Sequence, residues 1–208
     1  MSDASERSIG PAGVLELASA DPRRALDLGS SILDRLPGHD HVGRATTLRA
    51  LCIAARLGST MVDSISYGRQ SVTEATAADD PELLSRSLMS LAGSVAFSGD
   101  NAGAFQILED ASEMAGGLLL AEIEFQRGTL LARIGERKAS LACFSRAMPV
   151  FEQHHDLESI AMTLHNRAMV QISSGDPIAA EEDLLRAQAI YAEDHSDADV
   201  AYADHALA

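Results

Sequence analysis

Residues 128–147 read GTLLARIGERKASLACFSRA. Gly135 stands between two stretches with apolar residues at helical spacing. Gly128 lies seven residues before it, and Ser140, Phe144 and Ala147 lie five, nine and twelve after it. The same arrangement surrounds Gly99, with Ala92 before and Ala104, Leu108 and Ala111 after. It recurs at Gly175, with Ala168 before and Ala180, Leu184 and Ala187 after. Gly58 extends the series, so the glycines follow one another at steps of 41, 36 and 40 residues. A period in this range predicts stacked helical hairpins, each burying its apolar face only against its neighbours. The small residue before each turn lets the two helices of a pair approach closely. Around Gly58 the matching places hold Asp63, Tyr67 and Gln70, and the pattern is weak; the first pair, around Ala25, is degenerate as well.

Composition agrees with a helical array. The chain has 208 residues, 46% of them apolar, but only 4% aromatic and no Trp. The core must therefore be built from Ala, Leu, Ile, Val and Met, and the 35 alanines favour close helix packing. The net charge of −15, with a single lysine at Lys138, speaks against a nucleic-acid surface. The start has no charged segment followed by an apolar run, and no uncharged stretch approaches membrane-spanning length. A cytoplasmic protein with no membrane partner is the expectation.

Helices are expected at about 12–19, 22–36, 41–57, 60–77, 81–98, 101–115, 118–134, 137–153, 157–174, 177–192 and 198–208, with residues 1–11 flexible and 12–208 one repeat domain. Asp21-Pro22, Asp80-Pro81 and Asp176-Pro177 mark helix starts, because Asp caps an unpaired N–H and Pro at the first position sacrifices no needed donor. Asp40, Asp156 and Asp197 fall at comparable junctions. Pro149 sits inside a helix and predicts a bend near Met148.

These residues resemble the tetratricopeptide repeats, in which a small residue precedes the turn glycine by seven and small, bulky and Ala positions follow it by five, nine and twelve. The resemblance implies an all-α superhelical solenoid of about five helical pairs plus a terminal helix. A narrower likeness joins Asp21-Pro22-Arg23-Arg24-Ala25, Gln126-Arg127-Gly128, Leu164-His165-Asn166-Arg167-Ala168 and Ala180-Glu181-Glu182-Asp183-Leu184-Leu185-Arg186-Ala187 to the repeat arm of actinobacterial CHAT-domain proteins. Those proteins carry a caspase-like cysteine peptidase domain, which no segment here matches. His205 follows His165 by 40 residues, so the chain is expected to stop inside the first helix of a sixth pair. That open end would leave Leu184, Ala187, Ile190 and Tyr191 as an adhesive patch whenever helix 198–208 frays, and self-association through it is expected.

Candidate sites are few. His39 and His41 flank Asp40, His154-His155 precede Asp156, and His195 lies between Asp194 and Asp197. These groups are about a repeat or more apart and lack the helical His-x-x-x-His spacing, so they read as solvated loop histidines and no metal is expected. Cys52 and Cys143 fall in packing helices and read as inert thiols, and no phosphate loop or Ser elbow occurs. The Glu181-Glu182-Asp183 run reads as a solvated acidic face near a helix N-terminus. No catalytic residue and no cofactor is expected. A binding surface is expected along the first helices of the pairs: Arg86, Met89, Gly93 and Phe97; Glu122, Phe125, Thr129 and Arg133; Met162, His165, Met169 and Ile172. These mixed apolar stripes suit a protein or peptide partner more than a carboxylate clamp. The expected role is an interaction or sensor scaffold, the arm of a CHAT-type peptidase system with a caspase-like domain as possible partner. The alternative is the regulatory module of a bacterial transcriptional activator. Whether a caspase-like or a helix-turn-helix segment follows in frame discriminates the two.

Overall fold

The computed structural model describes residues 9–58 and 61–193. Among them are ten α-helices and no strand: α1 Pro11–Ala20, α2 Pro22–Arg35, α3 His41–Leu57, α4 Met61–Ala77, α5 Pro81–Phe97, α6 Asn101–Ser112, α7 Gly117–Arg133, α8 Arg137–His154, α9 Leu157–Ser173 and α10 Pro177–Glu193. Consecutive helices pack as five hairpins. The chain divides into two compact units, Met1–Ala115 with α1–α6 and Gly116–Ala208 with α7–α10. The expected helix 198–208, the Asp197 cap, His195 and His205 lie outside the described residues. The helix boundaries follow the sequence expectation closely; α6 ends at Ser112 rather than at 115.

Aspartate side chains cap the helix starts as their positions demand. Asp21 accepts from the Arg24 N–H at 3.1 Å, Asp80 from Leu83 at 3.0 Å and Asp176 from Ala179 at 3.2 Å. Asp40 and Asp156 do the same for Gly43 and Ser159. Asp100, a cap the sequence reading missed, takes the N–H of Gly103 at 2.9 Å. Gly99, Gly135 and Gly175 have φ of +98°, +83° and +81°, a conformation that side chains with a Cβ resist. α8 continues through Pro149 to His154.

The hairpin of α3 and α4 corrects the repeat register. Asp63 and Gln70 are exposed and Tyr67 is only partly covered, whereas Ser64, Gly68 and Ser71, one residue later, are buried. The frame is therefore anchored one residue past Gly58, which closes α3 with an ordinary φ of −89°. Hydrogen bonds confirm the shift. Ser64 Oγ donates to the Cys52 carbonyl at 2.8 Å, as Ser140 Oγ donates to the Gly128 carbonyl at 2.8 Å, each across twelve residues. Ser71 Oγ donates to the Ala45 carbonyl, and Ser85 Oγ to the Ala111 carbonyl, both at 2.9 Å across 26 residues. These two bonds join the same pair of helix positions with donor and acceptor exchanged. In the α7–α8 and α9–α10 hairpins those places hold Ala121 with Ala147 and Ala161 with Ala187, all buried.

Each unit has its own interior. In the first, Val14, Ala18, Ala25, Ile32, Ala50 and Ala54 cluster where α1, α2 and α3 meet. Between α3, α4 and α5 the interior is hydroxylic: Ser64 and Ser94 lie 2.6 Å apart, Ser71 and Ser87 2.9 Å apart, all fully buried. Pairing of every buried hydroxyl is what makes such an interior tolerable. In the second unit Met148, Phe151, Ile160, Leu164, Ala187 and Tyr191 form one cluster, and Ala168, Ala180 and Leu184 another. Leu184, Ala187 and Tyr191 are buried among residues of α8, α9 and α10, and helix 198–208, whose fraying is expected to uncover them, lies outside the described residues. The large apolar side chains that α10 exposes are Ile178 and Leu185.

Candidate functional site

The expected stripe is divided between the two units. On α5, Phe97 is 58% exposed, while Arg86, Met89 and Gly93 are half-buried. Arg86 pairs with Glu82, one turn earlier, at 3.1 Å. On α9, Met162, Met169 and Ile172 are 36%, 45% and 43% exposed. His165, placed on the same stripe from sequence, is only 5% exposed, and burial pushes its imidazole below the ordinary range, so it is neutral at pH 7. It belongs to the packed side of α9 and not to its open surface. On α7, Glu122, Phe125 and Thr129 are half-buried and Arg133 is exposed. Phe125 packs against the core, its ring 5.9 Å from that of Phe144, and Thr129 Oγ1 donates back to the Phe125 carbonyl.

Charge is organised differently from the sequence reading. Glu181 and Glu182 are solvated as expected, but Asp183 is 5% exposed. Its two carboxylate oxygens accept from Arg167 Nε and Nη2 at 2.7 and 2.6 Å, a bidentate clasp between α9 and α10. The only sequence trace of this pair is a spacing of sixteen residues across a predicted turn. In the first unit Glu74 of α4 accepts from His41 Nδ1 and Arg44 Nε of α3, each at 2.7 Å. Burial raises the Glu74 pKa, but the two donors outweigh it and hold the carboxyl below its usual range. A carboxylate depressed in the folded state stabilises above its unfolded pKa and loses that effect as pH falls through the folded value. Glu74→Gln is therefore expected to cost about 1 kcal/mol at pH 7. Urea unfolding should show the gap between variant and wild type closing below about pH 4; a gap independent of pH would mean that the charge of Glu74 is not what stabilises.

Both thiols are buried, free of disulfide bonds, and unsuited to nucleophilic work. Burial raises the Cys52 pKa, with hydrogen bonds from Ser94 and Ser64 only partly offsetting it. Cys143 is pushed up to about 11 by burial and by neighbouring Glu124. His39, His154 and His155 are exposed, and Asp40 and Asp156 are engaged as caps. Among the described residues no three His, Cys, Asp or Glu side chains group as a metal would require, and no helix is long and apolar enough to cross a membrane.

No family model and no curated protein matches the chain. Solved structures do. A Rap protein complexed with competence and sporulation factor superposes with a TM-score of 0.81 at 17% identity, over 90% of this chain but only 54% of that one. A thermophilic TPR protein of Thermus thermophilus matches with a TM-score of 0.62 at 20% identity, over 95% of this chain and 98% of that one. YrrB, a TPR protein with an unusual peptide-binding site, matches with a TM-score of 0.53 at 18% identity, over 94% of this chain and 89% of that one. The fold is that of tetratricopeptide-type superhelical repeats.

Proposed function

We propose that the chain is a binding module on which a protein or peptide segment docks along the first helices of its hairpins, serving as the sensor arm of a CHAT-type peptidase system. The observation that carries the reading is the row of Met162, Met169 and Ile172 left open on α9. Methionines two turns apart on one helix face give an adaptable apolar surface, suited to side chains of varied shape. Glu122, Phe125, Thr129 and Arg133 on α7, and Arg86, Met89 and Phe97 on α5, extend the candidate surface, each within its own unit. His165 supports it from within, fixing the packed side of the helix that presents the methionines. Two buried, hard-to-ionise thiols fit a non-catalytic role. The fold's likeness to a Rap protein complexed with a factor, and to a protein with a peptide-binding site, supports a peptide or protein as the partner class. The CHAT context rests on the four sequence segments quoted above.

Random-peptide display on the full immobilised chain, followed by calorimetry with the selected peptides, tests the reading. Peptides with apolar anchors should bind, and Met169→Lys should weaken them about tenfold or more. Failure to enrich any peptide, or cleavage of the peptides during incubation, would remove it.

A further inference from the structure

Sulfur is distributed unevenly between the interior and the surface of this chain. Both thiols are withdrawn: Cys52 is fully buried and Cys143 is 2% exposed. A thiol reacts with oxidants as the thiolate. With Cys143 pushed up to about 11, only about one molecule in ten thousand carries that thiolate at pH 7. Burial raises Cys52 in the same direction. The thioethers show the opposite arrangement. Among the described side chains, Met114, Met162 and Met169 are 37%, 36% and 45% exposed, and Met89 is half-buried. Met148 is 5% exposed, inside the core cluster of the second unit. Two of these three exposed sulfurs share one face of α9, two turns and about 10 Å apart. A thioether has no proton to lose, so exposure is what governs its oxidation.

We propose that Met162 and Met169 form an oxidant-sensitive modification site, at which hydrogen peroxide converts both thioethers to sulfoxides and so releases the segment docked on α9. The proposal rests on the binding-module reading and adds its regulation. In the step, a lone pair on sulfur attacks the near oxygen of the peroxide. The S–O bond forms, the O–O bond breaks, and the departing oxygen leaves as water after proton transfer. Sulfur gives up two electrons and the peroxide takes them. A dithiol reductase reverses the change, returning the thioether while the dithiol becomes a disulfide and the oxygen leaves as water. A sulfoxide oxygen is a strong hydrogen-bond acceptor, and covering it with an apolar partner strips its water without replacing the bond. The adaptable apolar surface is thereby lost at two of its three positions, while Ile172 is unchanged by peroxide. The fold is spared because Met148 lies among Phe151, Ile160 and Leu164, out of the oxidant's reach. The second unit therefore exposes oxidisable sulfur on α9 and shields the methionine that fills its core.

Treatment of the full chain with hydrogen peroxide, peptide mapping by mass spectrometry, and calorimetry with display-selected peptides free of sulfur test the proposal. Met162 and Met169 should each gain one oxygen well before Met148, with Cys52 and Cys143 still titrating as free thiols after denaturation. Binding should weaken about tenfold or more in the oxidised chain, with its circular dichroism spectrum unchanged. Incubation with both stereospecific methionine sulfoxide reductases and a dithiol should restore it. Met114→Leu should leave this response intact. Met162→Leu combined with Met169→Leu sets its own affinity for the peptides, and that affinity should not move on treatment; each single variant should lose part of the response. Cysteine oxidation ahead of the two methionines, or a response in the double variant as large as in wild type, would overturn the proposal. So would equal binding before and after Met162 and Met169 are oxidised, and in that case the binding-module reading stands. If no peptide binds the reduced chain, that reading fails and the proposed switch fails with it.

Discussion

Gly128→Val should lower the unfolding free energy by about 3 kcal/mol, because the space for a side chain at that point is already filled. A Cβ on Gly128 would lie 2.7 and 2.9 Å from Cε1 and Cδ1 of Phe144, and 3.1 Å from Cys143 Cβ. Phe144 cannot yield easily, being fully buried with its ring against Phe125. The backbones cannot separate without breaking the bond from Ser140 Oγ to the Gly128 carbonyl. Gly128→Ala meets the same ring but gains about 1 kcal/mol of helix propensity, so its loss should be smaller. Urea unfolding of the two variants gives the comparison, and adding Phe144→Leu to Gly128→Val should recover part of the loss. A Gly128→Val protein within about 0.5 kcal/mol of wild type would show that α7 and α8 are not in close contact there.

The close approach at Gly128 is also the feature the sequence showed most openly. A small residue seven before a turn, Gly128 here and Ala92 or Ala168 in the other two, facing a bulky residue nine after it, is a steric statement that can be read without coordinates, and three hairpins were legible in this way. The α3–α4 hairpin was legible only as a hairpin. A register tied to a glycine misplaces the frame when the glycine directly follows the helix, as Gly58 follows α3, where Gly135 stands one residue further on from α7; and the true facing residues, Ser64, Gly68 and Ser71, carry no apolar signal. Their burial depends on hydroxyl pairing with Ser94 and Ser87 of another helix, a tertiary fact that no local pattern encodes. Of the candidate surface, Phe97, Met162 and Met169 are exposed where helical spacing put them. His165 is not, because one residue type serves equally on an open face or a packed one.

Arg167→Met should be the other costly change, with a loss of about 3 kcal/mol at pH 7. The Asp183 carboxylate is almost entirely withdrawn from water, and Arg167 supplies both of its short hydrogen bonds. Removing the guanidinium leaves a buried carboxylate without its charged partner, which is worse than removing both groups. Arg167→Met combined with Asp183→Leu should therefore be more stable than Arg167→Met alone, since Leu there would adjoin an interior already occupied by Leu184, Ala180 and Ala168. The clasp joins α10 to the helix that carries Met162 and Met169, so its loss should also raise hydrogen exchange along α10 and loosen peptides held by those methionines. Denaturant unfolding of the three variants decides the energetic claim. A double variant no more stable than Arg167→Met would mean that the arginine acts through its packed stem and not through its charge.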